Sequence, residues 1–230
     1  NSSFFAPLTL SPSSSCTIAI AFDAAFTFVY ADLLAELEEL GAKIVLFSPL
    51  TDSHLPPCDA VILPGGYPEL FAAKLANNTQ LRSDLRDCAR RNIPIYGECG
   101  GFMYLMENLI LDDGIVYPMC GLLPFSCRMN KSLQALGYRK GHLMAPVFES
   151  TSLSVRAHEF HYASIIETNK NVSGSPLWAC TNQYGDELGA NGWASGTVFG
   201  SWLHIYPLGA RSFLKAFCAL ATKRHKTACP

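Results

Sequence analysis

Charge is scarce in this chain. Asp, Glu, Lys and Arg make up 16% of its 230 residues against 49% hydrophobic ones, and the formal net charge is −2. Such a composition folds around a core rather than staying disordered, and it offers no basic face to nucleic acid. No Cys-x-x-Cys occurs among the nine cysteines, so a zinc ribbon lacks its ligands and no metal site is expected. Their odd number and irregular spacing also speak against a disulfide scaffold, and reduced thiols in the cytoplasm are the expectation. A Gly-x-x-x-x-Gly-Lys-Ser/Thr phosphate loop is missing too, so this chain is not expected to bind ATP in the usual way. Residues 1–15 have neither the basic start nor the long apolar run of a signal peptide. The sequons at Asn77, Asn130 and Asn171 therefore read as chance matches. From Leu188 to Ala210 there is no Asp, Glu, Lys or Arg, yet Asn191, His204, Pro207 and five glycines interrupt the stretch. It reads as buried strand and loop, not as a membrane span.

What is present is an alternation of strand and helix. Residues 1–15 are rich in Ser and Pro and read as a linker or an expression remnant, residues 16–222 as one domain, and residues 223–230 as a tail. The apolar run Thr17–Phe22 predicts a strand buried on both faces. Helical spacing over Phe28–Leu40 ends at Gly41. Strands follow at Lys43–Phe47 and Ala60–Leu63, then helices over Pro68–Leu75 and Asn78–Arg91. This order predicts an α/β fold with a parallel, doubly wound sheet, whose ligands bind beyond the carboxyl ends of the strands. The second half reads as short strands, including one over Thr197–Ile205, closed by a helix from Leu208 to about Thr222.

The segment Ile93–Gly101 carries the most information. It predicts a short buried strand, a sharp turn at Cys99 and a helix from Gly100 that continues through Phe102, Leu105, Met106 and Leu109. A strand-to-helix elbow lifts a nucleophile out of the sheet, and the helix N-terminus favours a thiolate. A thiol nucleophile needs a base. Of six histidines, His204 lies at the end of the last strand and is the preferred one, with His161 as the second candidate. Acyl transfer needs oxyanion donors, which the backbone of Gly65, Gly66 and Gly100 can present. His158 and His161 stand three apart in an apparent strand, where odd separations point to opposite faces. That spacing does not fit the helical zinc motif, and a strand edge that touches substrate is the better reading.

Four motifs fall in one order: Pro64-Gly-Gly-Tyr-Pro-Glu-Leu70, Tyr96-Gly-Glu-Cys-Gly-Gly-Phe-Met-Tyr104, Leu136-Gly-Tyr138 and Arg156-Ala-His-Glu-Phe-His-Tyr162. Together they resemble the C-terminal glutamine amidotransferase domain of cobyrinic acid a,c-diamide synthase, over roughly residues 16–222. The resemblance implies the flavodoxin-like sheet of class I glutamine amidotransferases. It implies glutamine hydrolysis at Cys99 through a thioester, with His204 as base. It also implies a partner synthetase domain, in cis or in trans, that holds ATP, Mg and a tetrapyrrole and uses the ammonia to amidate carboxylates. A homodimer stays open. His161, Tyr162 and Met103 fall where substrate contacts are expected. The chain departs from the pattern at Met103, where Gln is common. Ala157 stands where Gly usually precedes His158, and Tyr206 where triad enzymes carry Glu. Tyr206 could orient His204 through its hydroxyl. Glu98, beside the nucleophile, should oppose thiolate formation. Two other readings keep the fold: a cysteine hydrolase with another substrate, and a catalytically silent docking module.

Overall fold

The computed structural model describes residues 16–149, 152–167 and 173–228. The linker expected at 1–15 lies outside them. In chain order the first half runs β1 (Cys16–Ala21), α1 (Ala31–Glu39), β2 (Ala42–Phe47), β3 (Ala60–Leu63), a 3-10 turn (Pro68–Phe71), α2 (Ala72–Asn77), α3 (Thr79–Arg90), β4 (Ile95–Glu98) and α4 (Gly100–Leu105). Strands dominate the rest: β5 (Asn108–Ile110), β6 (Val116–Pro118), β7 (Phe125–Met129), β8 (Ala135–Leu143), β9 (Ser154–His161), β10 (Ala163–Glu167), β11 (Ser175–Thr181), β12 (Glu187–Ser195), β13 (Val198–Ser201) and β14 (Leu203–Ile205). A 3-10 turn at Pro207–Gly209 leads into α5 (Arg211–Ala228).

The central sheet has ten strands in the order β14-β9-β8-β11-β12-β13-β4-β3-β1-β2. The five from β13 to β2 are parallel. Counted along the chain, this is the 2-1-3-4-5 order of flavodoxin-like folds. Side-chain alternation sorts its residues between two cores. Ile18, Ile20, Ile62 and Tyr96 pack with Leu37 of α1 and with Phe213 and Phe217 of α5. Ala19, Val61, Leu63 and Ile95 pack on the other face with Leu75, Leu81, Leu85 and Phe102. The smaller sheet β10-β7-β5-β6 adds Leu109, Phe125, Cys127 and Ala163 to that second core.

The expectation of a parallel sheet holds for only half of it. Strands β12, β11, β8, β9 and β14 are all antiparallel to their neighbours. The strand expected over Thr197–Ile205 breaks at Trp202. Its first part, β13, pairs with β4, and its second, β14, pairs with β9 at the far edge of the sheet. The antiparallel strands therefore curl back on themselves, and the break brings His204 to the carboxyl ends of β3 and β4.

Three helix limits also differ from expectation. Helix α1 begins at Ala31, after an extended Tyr30 (φ −82, ψ 138), and the Phe28 N–H before it donates to the Gly65 carbonyl at 3.1 Å. Helix α4 stops at Leu105, since the Leu105 carbonyl accepts the N–H groups of Leu122 and Leu123 and Met106 turns extended. Leu109 is thus a strand residue. The last helix starts at Arg211, three residues later than expected, and runs through Ala228. Most of the expected tail is helical.

Candidate active site

The elbow is built by local strain and by tight packing. Cys99 has φ +44 and ψ −99, a region that costs a non-glycine residue on the order of 1–3 kcal/mol. The surroundings over-determine it. The Cys99 N–H donates to the Ser201 carbonyl at 2.7 Å, and the Met103 N–H donates to the Cys99 carbonyl at 2.9 Å. A Cβ on Gly101 would run into the Leu63 carbonyl, so only glycine lets α4 sit this close to β3.

The glycine loop lies against both the elbow and His204. A Cβ on Gly100 would come within 3.0 Å of the Gly66 nitrogen, and one on Gly65 within 2.9 Å of His204 Nδ1. Among the described residues, the N–H groups of Gly66 and Gly100 donate to no main-chain carbonyl. The structure thus brings together Cys99, Gly65, Gly66, Gly100 and His204. Beside them opens a cavity of about 890 Å3, lined by His204, Phe28, Tyr30, His158, Phe160 and Tyr206 among others. It is far larger than one amino acid, and its lining includes Lys140 and Arg156. The Cys99 thiol faces the Phe160 carbonyl at 3.8 Å.

Electrostatics sets the resting protonation. Burial pushes the Cys99 thiol up to about 12, with Glu69, Glu98 and Glu159 adding to it and the Gly100 N–H opposing. The expected bias of the helix N-terminus toward thiolate is outweighed by burial. At neutral pH on the order of one molecule in 10⁵ carries the thiolate. Burial lowers His204 to about 4, helped by His158 and His161, so its ring is neutral and able to accept a proton.

Three sequence expectations are corrected. Tyr206 does not orient His204: among the described residues the buried Nδ1 of His204 has no hydrogen-bond partner, and Tyr206 is 53% exposed. Met103 is 3% exposed and belongs to the apolar core under α4. His161 is turned inward, with both ring nitrogens engaged by Glu159 and the Ala163 carbonyl. It is neither a free substrate contact nor a spare base. Tyr162, partly exposed, packs edge-on against Phe160, the residue whose carbonyl faces Cys99. The alternation argument for His158 and His161 holds, and it is His158 that faces the cavity. Phe28 and Tyr30 were not legible, since no motif marks them, and the motif that contains Phe160 does not say that its carbonyl turns toward Cys99. Among the described residues no group of His, Cys, Asp or Glu is arranged to hold a metal.

Glu98 has a structural role. Its carboxyl points toward α5, where it accepts from the Tyr96 hydroxyl at 2.8 Å and the Ile205 N–H at 3.4 Å. It thereby caps the N–H that β14 exposes where the sheet splits. Burial raises it to about 7 against hydrogen bonds that lower it. Between the ordinary carboxylate value and 7 the folded chain holds a proton that the unfolded chain releases. Stability therefore falls as pH rises through that window, by on the order of 3 kcal/mol. Glu98→Gln keeps an acceptor oxygen and removes the charge. Urea melts should show the variant more stable than wild type at about pH 8, by on the order of 1–3 kcal/mol, and equal to it near pH 4. A variant less stable at the higher pH would contradict this account.

Fold and site together define a class. PurLQS from Thermotoga maritima superposes with a TM-score of 0.61 at 18% identity, over 90% of this chain and 98% of that one, which establishes the shared fold. The CobB/CobQ-like glutamine amidotransferase domain family matches residues 17–211, and the chain belongs to that family. Cobyrinate a,c-diamide synthase of Syntrophotalea carbinolica is 40% identical over 87% of this chain and 45% of its own length. Hydrogenobyrinate a,c-diamide synthase of Brucella anthropi is 40% identical over 82% of this chain and 42% of its own. The chain spans under half the length of these relatives.

Proposed function

We propose that this chain is the ammonia-releasing half of a tetrapyrrole a,c-diamide synthase. The observation that supports the reading best is the meeting of a strained Cys99, a neutral His204 and the Gly65-Gly66 loop at one strand end. The Cys99 sulfur attacks the side-chain amide carbon of glutamine while its proton passes to His204. The N–H groups of Gly66 and Gly100, with the Gly65 backbone beside them, stabilise the oxyanion. Ammonia leaves with the proton from His204, and a thioester remains on Cys99. Water activated by His204 then cleaves it to glutamate. The ammonia serves a synthetase part, with ATP and Mg bound there, that amidates the a and c carboxylates of cobyrinic acid or a related tetrapyrrole in the cytoplasm.

Among the described residues nothing holds the Nδ1 of His204, so the isolated chain is expected to be a slow enzyme. Glutamate release should fall well below roughly 10 per second and rise when the matching synthetase part is supplied, because docking can reorder the glycine loop. Full turnover without the partner would contradict this, and no release in either state would favour the silent docking module. Tyr206→Phe should change turnover by less than about twofold, since its hydroxyl makes no bond to the imidazole. A tenfold loss would restore the tyrosine as an orienting group.

A further inference from the structure

A cluster of charged and polar side chains lies under the break at Trp202, and the thioester chemistry does not use it. Glu159 accepts from Arg139 Nε at 2.6 Å, from Asn191 Nδ2 at 2.7 Å and from His161 Nε2 at 3.1 Å. His161 Nδ1 meets the Ala163 carbonyl at 2.7 Å. A carbonyl oxygen only accepts, and so does an ionised carboxylate. Three donors on Glu159 keep it ionised, and its hydrogen bonds to His161 and Arg139 hold it below the usual carboxylate range against burial. Both ring nitrogens of His161 therefore face obligate acceptors, and the ring satisfies both only with two protons.

This imidazolium is tied to the break in two ways. Its ring stacks on Trp202, with centroids 4.2 Å apart and planes 17° from parallel, a favourable arrangement for a cation on an indole face. The Trp202 N–H, which has left the β13 ladder, donates to Asn191 Oδ1 at 3.1 Å, and the same Asn191 amide holds Glu159. Strand β9 carries Glu159 and His161 inward. Between them it turns the Phe160 carbonyl toward Cys99, and its His158 pairs with His204.

We propose that Glu159 and His161 are positioning residues, a carboxylate–imidazolium pair that clamps β9 to the Trp202 break and so sets both the Phe160 carbonyl and His204 against the nucleophile. The proposal rests on the glutaminase reading for its consequence, but the clamp itself can be observed without it. It supplies, through the backbone, the rigidity that a carboxylate at position 206 gives in triad enzymes. The groups that face the pair are Arg139 of β8, Cys180 of β11, Asn191 of β12, Cys99 at the elbow and His204 of β14.

The test uses this chain with two readouts. Nitrogen-15 NMR of the imidazoles, with His161 assigned by its loss in His161→Gln, should show both His161 nitrogens protonated in the folded chain. Inactivation of Cys99 by a chloroketone analogue of glutamine should then be compared in wild type and Glu159→Gln. The maximal rate should fall about tenfold to a hundredfold, as for a small misplacement of reacting groups, with the half-saturating concentration within about twofold. The deficit should widen as pH rises, because the glutamine variant leaves the imidazolium without its counter-ion. A neutral His161 in the wild type, or a variant with unchanged rate and pH profile, would overturn the proposal. If Glu159→Gln fails to fold, the wild-type ring nitrogens still decide it. A wild-type chain that the chloroketone does not inactivate would refute the glutaminase reading instead, with the NMR result deciding the clamp.

Discussion

Cys99→Ser should leave glutamine hydrolysis below detection, a loss on the order of 10⁴-fold or more, while the protein stays folded. The thiol is the only nucleophile that the elbow presents, and a serine hydroxyl there would hold its proton more tightly than a thiol already raised to about 12 by burial. Structure should survive, because the bonds that hold the elbow are made by the main chain, from Cys99 N–H to Ser201 and from Met103 N–H to Cys99. The oxygen is smaller than sulfur and leaves no cavity of consequence. Glutamate release with the synthetase part present, alongside a thermal melt, measures both halves of the expectation. Activity within about tenfold of wild type would place the nucleophile elsewhere.

His204→Ala should cost a hundredfold or more in turnover. With so small a thiolate fraction at neutral pH, the reaction depends on a base that takes the proton as the bond forms. His204 is the histidine whose ring lies against the Gly65 backbone, and it is neutral over the working range. Wild type should therefore show a rate that rises through about pH 4, as the imidazole loses its proton, and then stays level past neutrality. The alanine variant has no such plateau, and its residual rate should climb steadily with pH as hydroxide forms the thiolate. His158 shares the cavity and pairs with His204 across β9 and β14. Near-normal turnover in His204→Ala, combined with a large loss in His158→Ala, would move the base to His158.

The parallel half of the fold was legible in the sequence because its signals are local. Ala60–Leu63 matches β3 residue for residue, and Thr17–Phe22 lies within one residue of β1 at each end. Gly65, Gly66 and Cys99 were legible for the same reason: glycine doublets and a strand-to-helix turn are short patterns. What was lost depends on partners distant in the chain. Strand β12 carries Gly189 and Gly192 at φ +84 and +76, which blurs its alternation. A Cβ on Gly192 would run into the Gly200 carbonyl, so the glycine serves a close approach of β12 to β13. The break at Trp202 leaves no local mark either, since both flanking segments are apolar. Met103 is core and His161 is half-buried with its ring turned inward because α4 and β9 turn those faces inward. A resemblance in motif places such residues in line with a family but does not say which way they point. Leu188–Ala210, read as strand and loop, is made of β12, β13, β14 and the turns that follow them.

The most direct measurement is to mix the chain with glutamine and the synthetase part, quench in acid during turnover and map the peptides by mass spectrometry. The account predicts a glutamyl thioester on the peptide that carries Cys99, absent from Cys99→Ser and accumulating in proportion to the rate of its formation over its hydrolysis. Glutamate release with no adduct on any cysteine, or with the adduct on a cysteine other than Cys99, would contradict it.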